Sequence, residues 1–444
     1  MKSPLIGPVR WYWVLPAAFM MYTIAFFDRV NLGIALPFIT QDLHLSPAQA
    51  GWVGGAFAWG YAVTQLLAGW FVLKTCARNV IIMSLFLFGA AAMSIALATS
   101  FEYLIISRLL LGLAEGPLYA ATCRFLSQWF VKSERGRAFG IWNMSIGFGA
   151  VLAGPISGLL LAHGSWQTMM MVEGLPAWIF ALLWLWKVPK DLASAKFVTD
   201  ADREVLLRQL EEEHEAHEEA LHDPWWTVLG DRRVWMMALG YSLNNVMLYG
   251  FTLWLPTALH NIGSISITMI GVFSGLPFVA TMLGIFYITR RSDKHGQERR
   301  LHAAVPTLVT GLMMILAAFI PTQLYLLQIA MFVMVGFTMK MLVPLIFARV
   351  TEILPPRQAV PAVALISGVG NLVGQFAGPL VIGYIQMSTQ DFAISWATAG
   401  CFSLCGGISI LLSRHPGNGR QIVAQTGIDS ERNADQLMPR NSIK

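Results

Sequence analysis

The feature of this sequence that most constrains its fold is a series of long apolar stretches. A helix needs about 20 predominantly apolar residues to cross about 30 Å of hydrocarbon. Hydrophobic residues make up 56% of the chain and charged residues only 12%. The stretches that meet the length requirement are 11–37, 49–73, 79–99, 102–130, 136–161, 166–188, 233–260, 267–289, 301–320, 323–350, 358–386 and 390–413. The sequence therefore predicts an all-α polytopic membrane protein with twelve transmembrane helices.

The spans form two groups of six, joined by a longer polar connection. The predicted domains are an N-terminal six-helix bundle (1–188), a cytoplasmic linker (189–232), a C-terminal six-helix bundle (233–413) and a cytoplasmic tail (414–444). Thr199 precedes acidic residues and then an amphipathic pattern, which predicts a capped helix within the linker. The tail is polar and poor in apolar residues, so we expect it to be disordered.

The placement of lysine and arginine predicts the orientation of the chain. With the N-terminus inside, the outer connections contain no Lys or Arg. The inner connections contain Lys74, Arg78, Lys132, Arg135, Arg137, Arg290, Arg291, Lys294, Arg299, Arg300 and Arg357. Cytoplasmic loops carry an excess of these residues. We therefore expect a multi-pass plasma membrane protein of the bacterial inner-membrane type, with both termini cytoplasmic. The net charge of +5 then reflects the topology and contact with lipid head groups. The basic residues are not clustered on one face, as they would be in a protein that binds nucleic acid.

Ionisable residues inside the spans are the candidate functional residues. Asp28 and Arg29 are adjacent in the first span, and Arg108 and Glu115 lie in the fourth. Intramembrane charges are costly and usually mark a transport pathway, although Asp28 and Arg29 as a fixed ion pair between helices remain an alternative. Arg29 presents a planar fork of donors suited to a carboxylate, whereas the two acids can change charge. Glu173, close to the outer end of the sixth span, is expected at the membrane interface instead.

The two halves of the sequence are similar to each other. An Ala-Gly-Pro run occurs at 153–155 in the fifth span and at 377–379 in the eleventh. Glu115 and Arg124 in the fourth span have the same spacing as Lys340 and Arg349 in the tenth. Six-span halves in the same orientation predict a parallel repeat, with the substrate held near the midplane between them and alternating access by rocking.

Lys340 is a second cation predicted near the middle of the membrane. Two roles remain open for it. It could bind a second substrate carboxylate, which would favour a dicarboxylate or an aromatic diacid, or it could pair with Glu115. We favour substrate contact, because Lys340 is predicted to lie across the cavity from Arg29.

Several motifs resemble those of the major facilitator superfamily. The loop between the eighth and ninth spans reads Asp293-Lys294-His295-Gly296, followed by Arg299 and Arg300, and resembles that superfamily's acidic-basic-glycine loop. Arg108 followed by Gly112 resembles another of its motifs. The resemblance implies the major facilitator fold, in which twelve helices form two pseudo-symmetric bundles.

Other runs look like the anion:cation symporter family within that superfamily. They are Asp28-Arg29-Val30-Asn31-Leu32, Trp129-Phe130 with Glu134-Arg135-Gly136-Arg137, and Gly370-Asn371-Leu372-Val373-Gly374 through Gly378-Pro379. That family imports organic anions, including sugar acids, tartrate and aromatic carboxylates, usually with protons. The resemblance thus implies a proton-coupled symporter that imports an organic carboxylate, with a proton as coupling ion and no other cofactor.

The resemblance also implies roles for individual residues, whereas the role of Lys340 rests on its position alone. The predicted substrate-binding residues are Arg29, Tyr61, Lys340 and Asn371. The predicted proton-coupling residues are Asp28, Glu115 and Arg108.

The cytoplasmic loops of the superfamily act as gates, which makes Arg78, Asp293 and Arg300 the predicted gating residues. The first-half loop departs from the pattern, with Leu73 where the superfamily normally has Asp and Cys76 where it normally has Gly. In relatives that Asp helps to latch the cytoplasmic side closed. We therefore expect a weaker latch here and a larger inward-facing population.

Other functional classes find less support in the sequence. A membrane enzyme would need a convergent nucleophile or metal set, and the sequence offers no convincing one. It also lacks a Walker-type nucleotide-binding loop. An exporter or antiporter and a transporter-like sensor remain alternatives to an importer. We expect the partners to be a small organic anion, protons and the lipid bilayer, and the protein to be a monomer.

Overall fold

A computed structural model describes residues 9–192, 194–195, 197–218, 228–294, 299–354 and 356–413. These residues form helices with short connections, and they include no strand. The predicted disorder of residues 414–444 lies outside them.

The first half consists of six membrane-length helices. They are α1 (Val9–Asp42), α2 (Pro47–Lys74), α3 (Ala77–Ile95), α4 (Phe101–Ser127), α5 (Lys132–His163) and α6 (Trp166–Lys187). Ser46, Ser100 and Ser165 cap α2, α4 and α6, each accepting a hydrogen bond from a backbone N–H in the first turn. Since the first N–H groups of a helix have no intrahelical acceptor, these caps define where the spans begin.

The linker contains α7 (Asp200–Glu218), and the second half follows it. The helices of the second half are α8 (Arg232–Asn261), α9 (Ile267–Lys294), α10 (Arg299–Ala318), α11 (Tyr325–Met339), α12 (Leu342–Ile353), α13 (Pro356–Thr389) and α14 (Phe392–Leu412). Ten helical segments of the described chain are long and apolar enough to cross a membrane, with α11 and α12 counted as one segment. The helices α2 and α8 complete the twelve predicted spans. The all-α architecture predicted from the sequence is confirmed.

Both halves begin and end at the same side of the bundle. The helices α1 and α8 start there and α6 and α14 end there, because each half has an even number of spans. We call this end the linker side and the opposite end the far side.

In each half, an arginine at the linker side binds the end of the last helix of that half. Arg78, the second residue of α3, donates to the carbonyl oxygens of Leu185 at 2.6 Å and Val188 at 2.6 Å, where α6 ends. Arg300, the second residue of α10, approaches the carbonyl oxygen of Leu411 in the last turn of α14 at 3.5 Å. The last carbonyl groups of a helix lack intrahelical donors, and basic side chains can satisfy them. The two halves therefore repeat this contact as well as their spans.

The halves meet closely at the far side. A Cβ on Gly51 of α2 would lie 2.7 Å from the carbonyl oxygen of Pro379 in α13. A Cβ on Gly154 of α5 would overlap the carbonyl oxygen of Gly271 in α9, and Gly33 of α1 meets the backbone of α8 in a similar way. Small residues allow such close backbone approach in membranes. These three helix pairs close the far side.

The same helix faces separate toward the linker side. Gly140 shares a face of α5 with Gly154 and lies about four turns nearer the linker side. Gly368 shares a face of α13 with Pro379, about three turns nearer that side. A Cβ on either Gly140 or Gly368 would meet nothing within 4 Å. The halves are thus closed together at the far side and apart at the linker side.

Candidate functional site

The central ion pair joins α1 to α4. Arg29 Nε donates to Glu115 Oε1 at 2.7 Å, and a terminal guanidinium nitrogen lies 2.5 Å from the same oxygen. The side chains of Arg29 and Glu115 are 11% and 1% exposed. The second carboxylate oxygen of Glu115 has no hydrogen-bond partner among the described residues. Asp28 does not pair with its neighbour Arg29, because adjacent helix residues project about 100° apart.

Aromatic rings surround the guanidinium of Arg29. Its Cζ atom lies 4.5 Å from the ring centroid of Tyr61, 5.2 Å from that of Phe57 and 5.4 Å from that of Phe26. Aromatic faces attract cations and hold a guanidinium in a defined plane. The structure thus brings the predicted residue Tyr61 into direct contact with Arg29.

Arg108 lies on the same helix as Glu115, about two turns nearer its start. Its side chain is buried, and its Cζ atom lies 5.2 Å from the Phe57 ring. Within the described residues, Arg108 Nε and Asp28 Oδ2 are both buried without a hydrogen-bond partner. Phe57 therefore lies against both Arg29 and Arg108.

Glu173 faces the interior of the first half, where it is 6% exposed. Its Oε1 atom lies 2.7 Å from Ser157 Oγ and its Oε2 accepts from Asn31 Nδ2 at 2.9 Å. Asn31 also donates to Asp28 Oδ1 at 3.1 Å. The rotation of α6 turns Glu173 inward, and distance along a span does not reveal that rotation.

Lys340 lies where the tenth span breaks between α11 and α12. Its Nζ atom is 5.4 Å from the ring centroid of Phe26, the same ring that Arg29 contacts. Among the described residues no acidic side chain forms an ion pair with Lys340. Since Glu115 binds Arg29, the alternative in which Lys340 pairs with Glu115 does not occur in this conformation. Lys340 is partly exposed at the meeting of the two halves.

Asn244 holds the helix break in place. Its Nδ2 donates to the carbonyl oxygen of Met339 at 2.9 Å, and its Oδ1 accepts from Ser403 Oγ at 3.1 Å. Met339 ends α11, so this carbonyl has no donor further along its own helix. Asn244 is a polar residue inside a span, which was the only signal in the sequence for this structural role.

Asn371 lies on α13 beside α8. Its Oδ1 accepts from Asn245 Nδ2 at 3.3 Å and lies 3.4 Å from the Tyr241 hydroxyl. One turn away, Gln375 Nε2 donates to the Tyr249 hydroxyl at 3.0 Å. The structure therefore places Asn371 in a polar strip of the second half, where its partners are Asn245 and Tyr241.

The predicted gating residues lie at the linker side. Arg78 and Arg300 each bind within their own half, as described above, and the side chain of Asp293 lies outside the described part of the chain. Their gating role stays a prediction. Within the described residues, no three His, Cys, Asp or Glu side chains are grouped to hold a metal ion.

Two six-span halves, with the buried ion pair of Arg29 and Glu115 in the first, are typical of a multi-pass membrane transporter. Residues 18–379 and 260–430 match the family model described as Major Facilitator Superfamily. The chain therefore belongs to the Major Facilitator Superfamily, as its motifs predicted.

Three comparisons illustrate this membership. The chain is 28% identical over 390 residues to a "Quinolone resistance transporter" of Acinetobacter baumannii, covering 86% of this chain and 88% of the relative. It is 28% identical over 409 residues to a "Putative tartrate transporter" of Agrobacterium vitis, covering 90% of each. A solved bacterial homolog of the human lysosomal transporter Spinster, in an inward-facing and occupied conformation, superimposes with a TM-score of 0.75 at 17% identity. That match covers 91% of this chain and 97% of the solved one, and it shows a shared fold.

Proposed function

We propose that this protein is a secondary active symporter that imports an organic carboxylate together with protons by alternating access. The observation that carries the proposal is Lys340, a cation that has no acidic partner in the described part of the chain and that lies near the same Phe26 ring as Arg29. A cation in this setting is costly unless an anion or water accompanies it. The site is therefore suited to a negatively charged substrate.

The proposed orientation places the linker side in the cytoplasm. This assignment is supported by the basic residues of the linker-side connections and by the absence of Lys and Arg from the far-side connections. The excess of Lys and Arg in cytoplasmic loops is general among membrane proteins. The conformation is then inward-facing, with the far side closed toward the periplasm.

The proposed cycle uses the pair between Arg29 and Glu115. In the empty carrier Glu115 is ionised and occupies the donor fork of Arg29. A proton from outside converts Glu115 to the neutral acid, which weakens its hold on Arg29 and leaves the guanidinium for a substrate carboxylate. After the halves rock, Glu115 loses its proton to the cytoplasm, rebinds Arg29 and displaces the substrate. Asp28 with Arg108 is the second candidate coupling pair.

The position of Lys340 indicates how many carboxylates the substrate has. Because Lys340 and Arg29 flank Phe26, a substrate with two negative groups can meet one cation from each half. Such a substrate also joins the halves, which favours the occluded state. We propose a dicarboxylate or an aromatic diacid over a monocarboxylate, in keeping with the tartrate named for one relative.

An exporter is the second candidate function. The similarity to a "Quinolone resistance transporter" at 28% identity favours it, since resistance to a compound is typical of export. The two functions differ in direction and in the effect of a proton gradient. An importer accumulates its acid when the outside is acidic, whereas a proton antiporter expels its cargo under that gradient.

Transport by the purified protein in liposomes tests the proposal. The panel comprises labelled tartrate, a hexuronate, a hexarate, an aromatic mono-acid, an aromatic diacid and a quinolone, each measured with a pH gradient alone and with a membrane potential alone. We expect acid-driven accumulation of at least one carboxylate, abolished by a protonophore. Transport of the quinolone alone, toward the acidic side of the membrane, would favour the exporter. Absence of transport of every other acid in the panel would reject the proposal.

A further inference from the structure

Glu173 is a buried carboxyl group that the proposed cycle does not use. It lies in the far-side part of α6 and contacts Ser157 of α5 and Asn31 of α1. Three helices of the first half thus meet at one acidic side chain. No Lys, Arg or His forms an ion pair with Glu173 in the described part of the chain.

The hydrogen bonds of Glu173 suit the neutral acid. The Asn31 amide has two N–H donors and directs one to Asp28 Oδ1 and the other to Glu173 Oε2, so this oxygen of Glu173 is an acceptor. The remaining oxygen, Oε1, accepts from Ser157 Oγ at 2.7 Å. A hydroxyl group can accept as well as donate, so in the neutral acid Oε1 can carry the proton and the same contact then runs from Oε1 to Ser157. An ionised carboxylate would instead be a buried charge without a counter-ion, which is strongly disfavoured.

Few other titratable groups face this position. On α1 the groups are Asp28, which Asn31 links to Glu173, and Asp42, which accepts hydrogen bonds from Trp166 and Gln167 in the first turn of α6. On α3 the titratable residue is Arg78, at the linker-side end, where it binds the end of α6. On α5 they are His163 at the far-side end and a group in the first two turns at the linker side, which consists of Lys132, Glu134, Arg135 and Arg137. Protonation of Glu173 therefore responds chiefly to Asp28 and to access of water.

The partners of Glu173 belong to the segments that close the far side. Ser157 stands between Gly154 and Gly158, and both glycines pack against α9 of the second half. Asn31 is two residues from Gly33, which packs against α8. A change at Glu173 thus acts on two of the three helix pairs in the far-side closure.

We propose that Glu173 is a proton-binding site that couples protonation to closure of the far side. The neutral acid joins α6 to α5 and α1 in the closed state described here. Loss of its proton leaves a carboxylate that must be hydrated, and opening of the far side supplies that water. This inference rests on the proposed proton coupling, and it adds a third carboxyl group to Asp28 and Glu115.

Distance measurements between spin labels test the proposal without any substrate. Labels on Leu97→Cys and Phe319→Cys report the far side, since these exposed residues lie in far-side connections of opposite halves. Cys76, Cys123, Cys401 and Cys405 are first replaced by serine. In the otherwise native chain, we expect the fraction with the long distance to rise as the pH is raised. In Glu173→Gln, an uncharged isostere that keeps both hydrogen bonds, that rise should be lost or its midpoint displaced by at least about one pH unit, a tenfold change in proton concentration.

Ser157→Ala is the second variant. It removes one partner of the acid and should displace the midpoint while a pH response remains. The same pH response in Glu173→Gln and in the parent chain would overturn the proposal, as would a far side that does not respond to pH in the parent chain. Carboxylate uptake is measured separately on the same variants, so that failure of the proposed transport function is distinguished from failure of this coupling role.

Discussion

Arg29 is held by two kinds of contact at once, a carboxylate edge and three aromatic faces. Glu115 binds its donor fork, while Phe26, Phe57 and Tyr61 lie against its guanidinium. A planar guanidinium can make both contacts, whereas a lysine ammonium is a point charge that cannot reproduce them. The geometry of the side chain is therefore as important here as its charge.

Arg29→Lys should weaken substrate binding at least about tenfold, equivalent to about 1.4 kcal/mol, because a bidentate carboxylate contact is replaced by a single donor. The measurement is the dissociation constant of a transported acid by calorimetry. Arg290→Lys is the matched control, since Arg290 also lies over a ring, that of Phe286 at 3.9 Å, at the linker-side end of α9. Equal substrate affinities of Arg29→Lys and the parent chain would exclude Arg29 as a substrate-binding residue.

Lys340→Met should reduce the affinity for dicarboxylates more than that for monocarboxylates. The variant keeps a long side chain and loses the charge that we assign to the second carboxylate. Competition of both acid types against a labelled substrate gives the ratio, and we expect that ratio to fall about tenfold or more. Lys187→Met, at the exposed end of α6, controls for loss of a lysine elsewhere. An unaltered ratio would refute the substrate role of Lys340.

At the scale of the element, the broken tenth span is the main departure from the sequence prediction. The apolar stretch 323–350 is continuous in sequence, but α11 ends at Met339 and α12 begins at Leu342. The break coincides with Lys340 and with a hydrogen bond from Asn244 of a different helix. Irregular backbone at membrane depth occurs where protein groups satisfy its free carbonyl groups or where it lines a cavity.

Asn244→Ala should destabilise the second half by about 1 kcal/mol, because it removes the donor to the Met339 carbonyl and the acceptor for Ser403. A lower melting temperature in detergent is the expected result. Asn261→Ala is the control, since Asn261 is an exposed asparagine at the far-side end of the same helix. If both variants melt at the same temperature, Asn244 does not stabilise the break.

At the scale of the whole molecule, glycine-mediated contacts close the far side. Three helix pairs approach through backbone contacts there, whereas the same faces of α5 and α13 have open space at Gly140 and Gly368 toward the linker side. A rocking carrier must break and re-form these contacts in each cycle. Their strength therefore contributes to the balance between the two facing states.

Gly154→Val should shift the protein away from the far-side-closed state, because the added side chain overlaps the backbone of Gly271. The distance between labels on Leu97→Cys and Phe319→Cys, in the cysteine-free background, is expected to lengthen. Gly140→Val places the same side chain on the same face where nothing lies within 4 Å, and it should leave the distance unchanged. Identical distances in both variants would mean that the α5 and α9 contact does not control closure.

The sequence by itself determined the class of fold and several of the charged residues inside the spans. Span length and the cost of a charge in hydrocarbon are local properties, so they can be read from composition and spacing. Asp28, Arg29 and Glu115 were therefore found without a structure, and motif resemblance gave the superfamily.

Only the tertiary structure decided which charges meet. In the structure Arg29 pairs with Glu115, and no acidic side chain of the described residues pairs with Lys340. Glu173 faces the interior of the first half, and Asn244 binds the backbone where the tenth span breaks. These outcomes depend on the rotation, tilt and depth of one helix against another. Such quantities arise from packing across the whole bundle, and apolar periodicity within a single span does not encode them, because a span that is apolar all round has no preferred face.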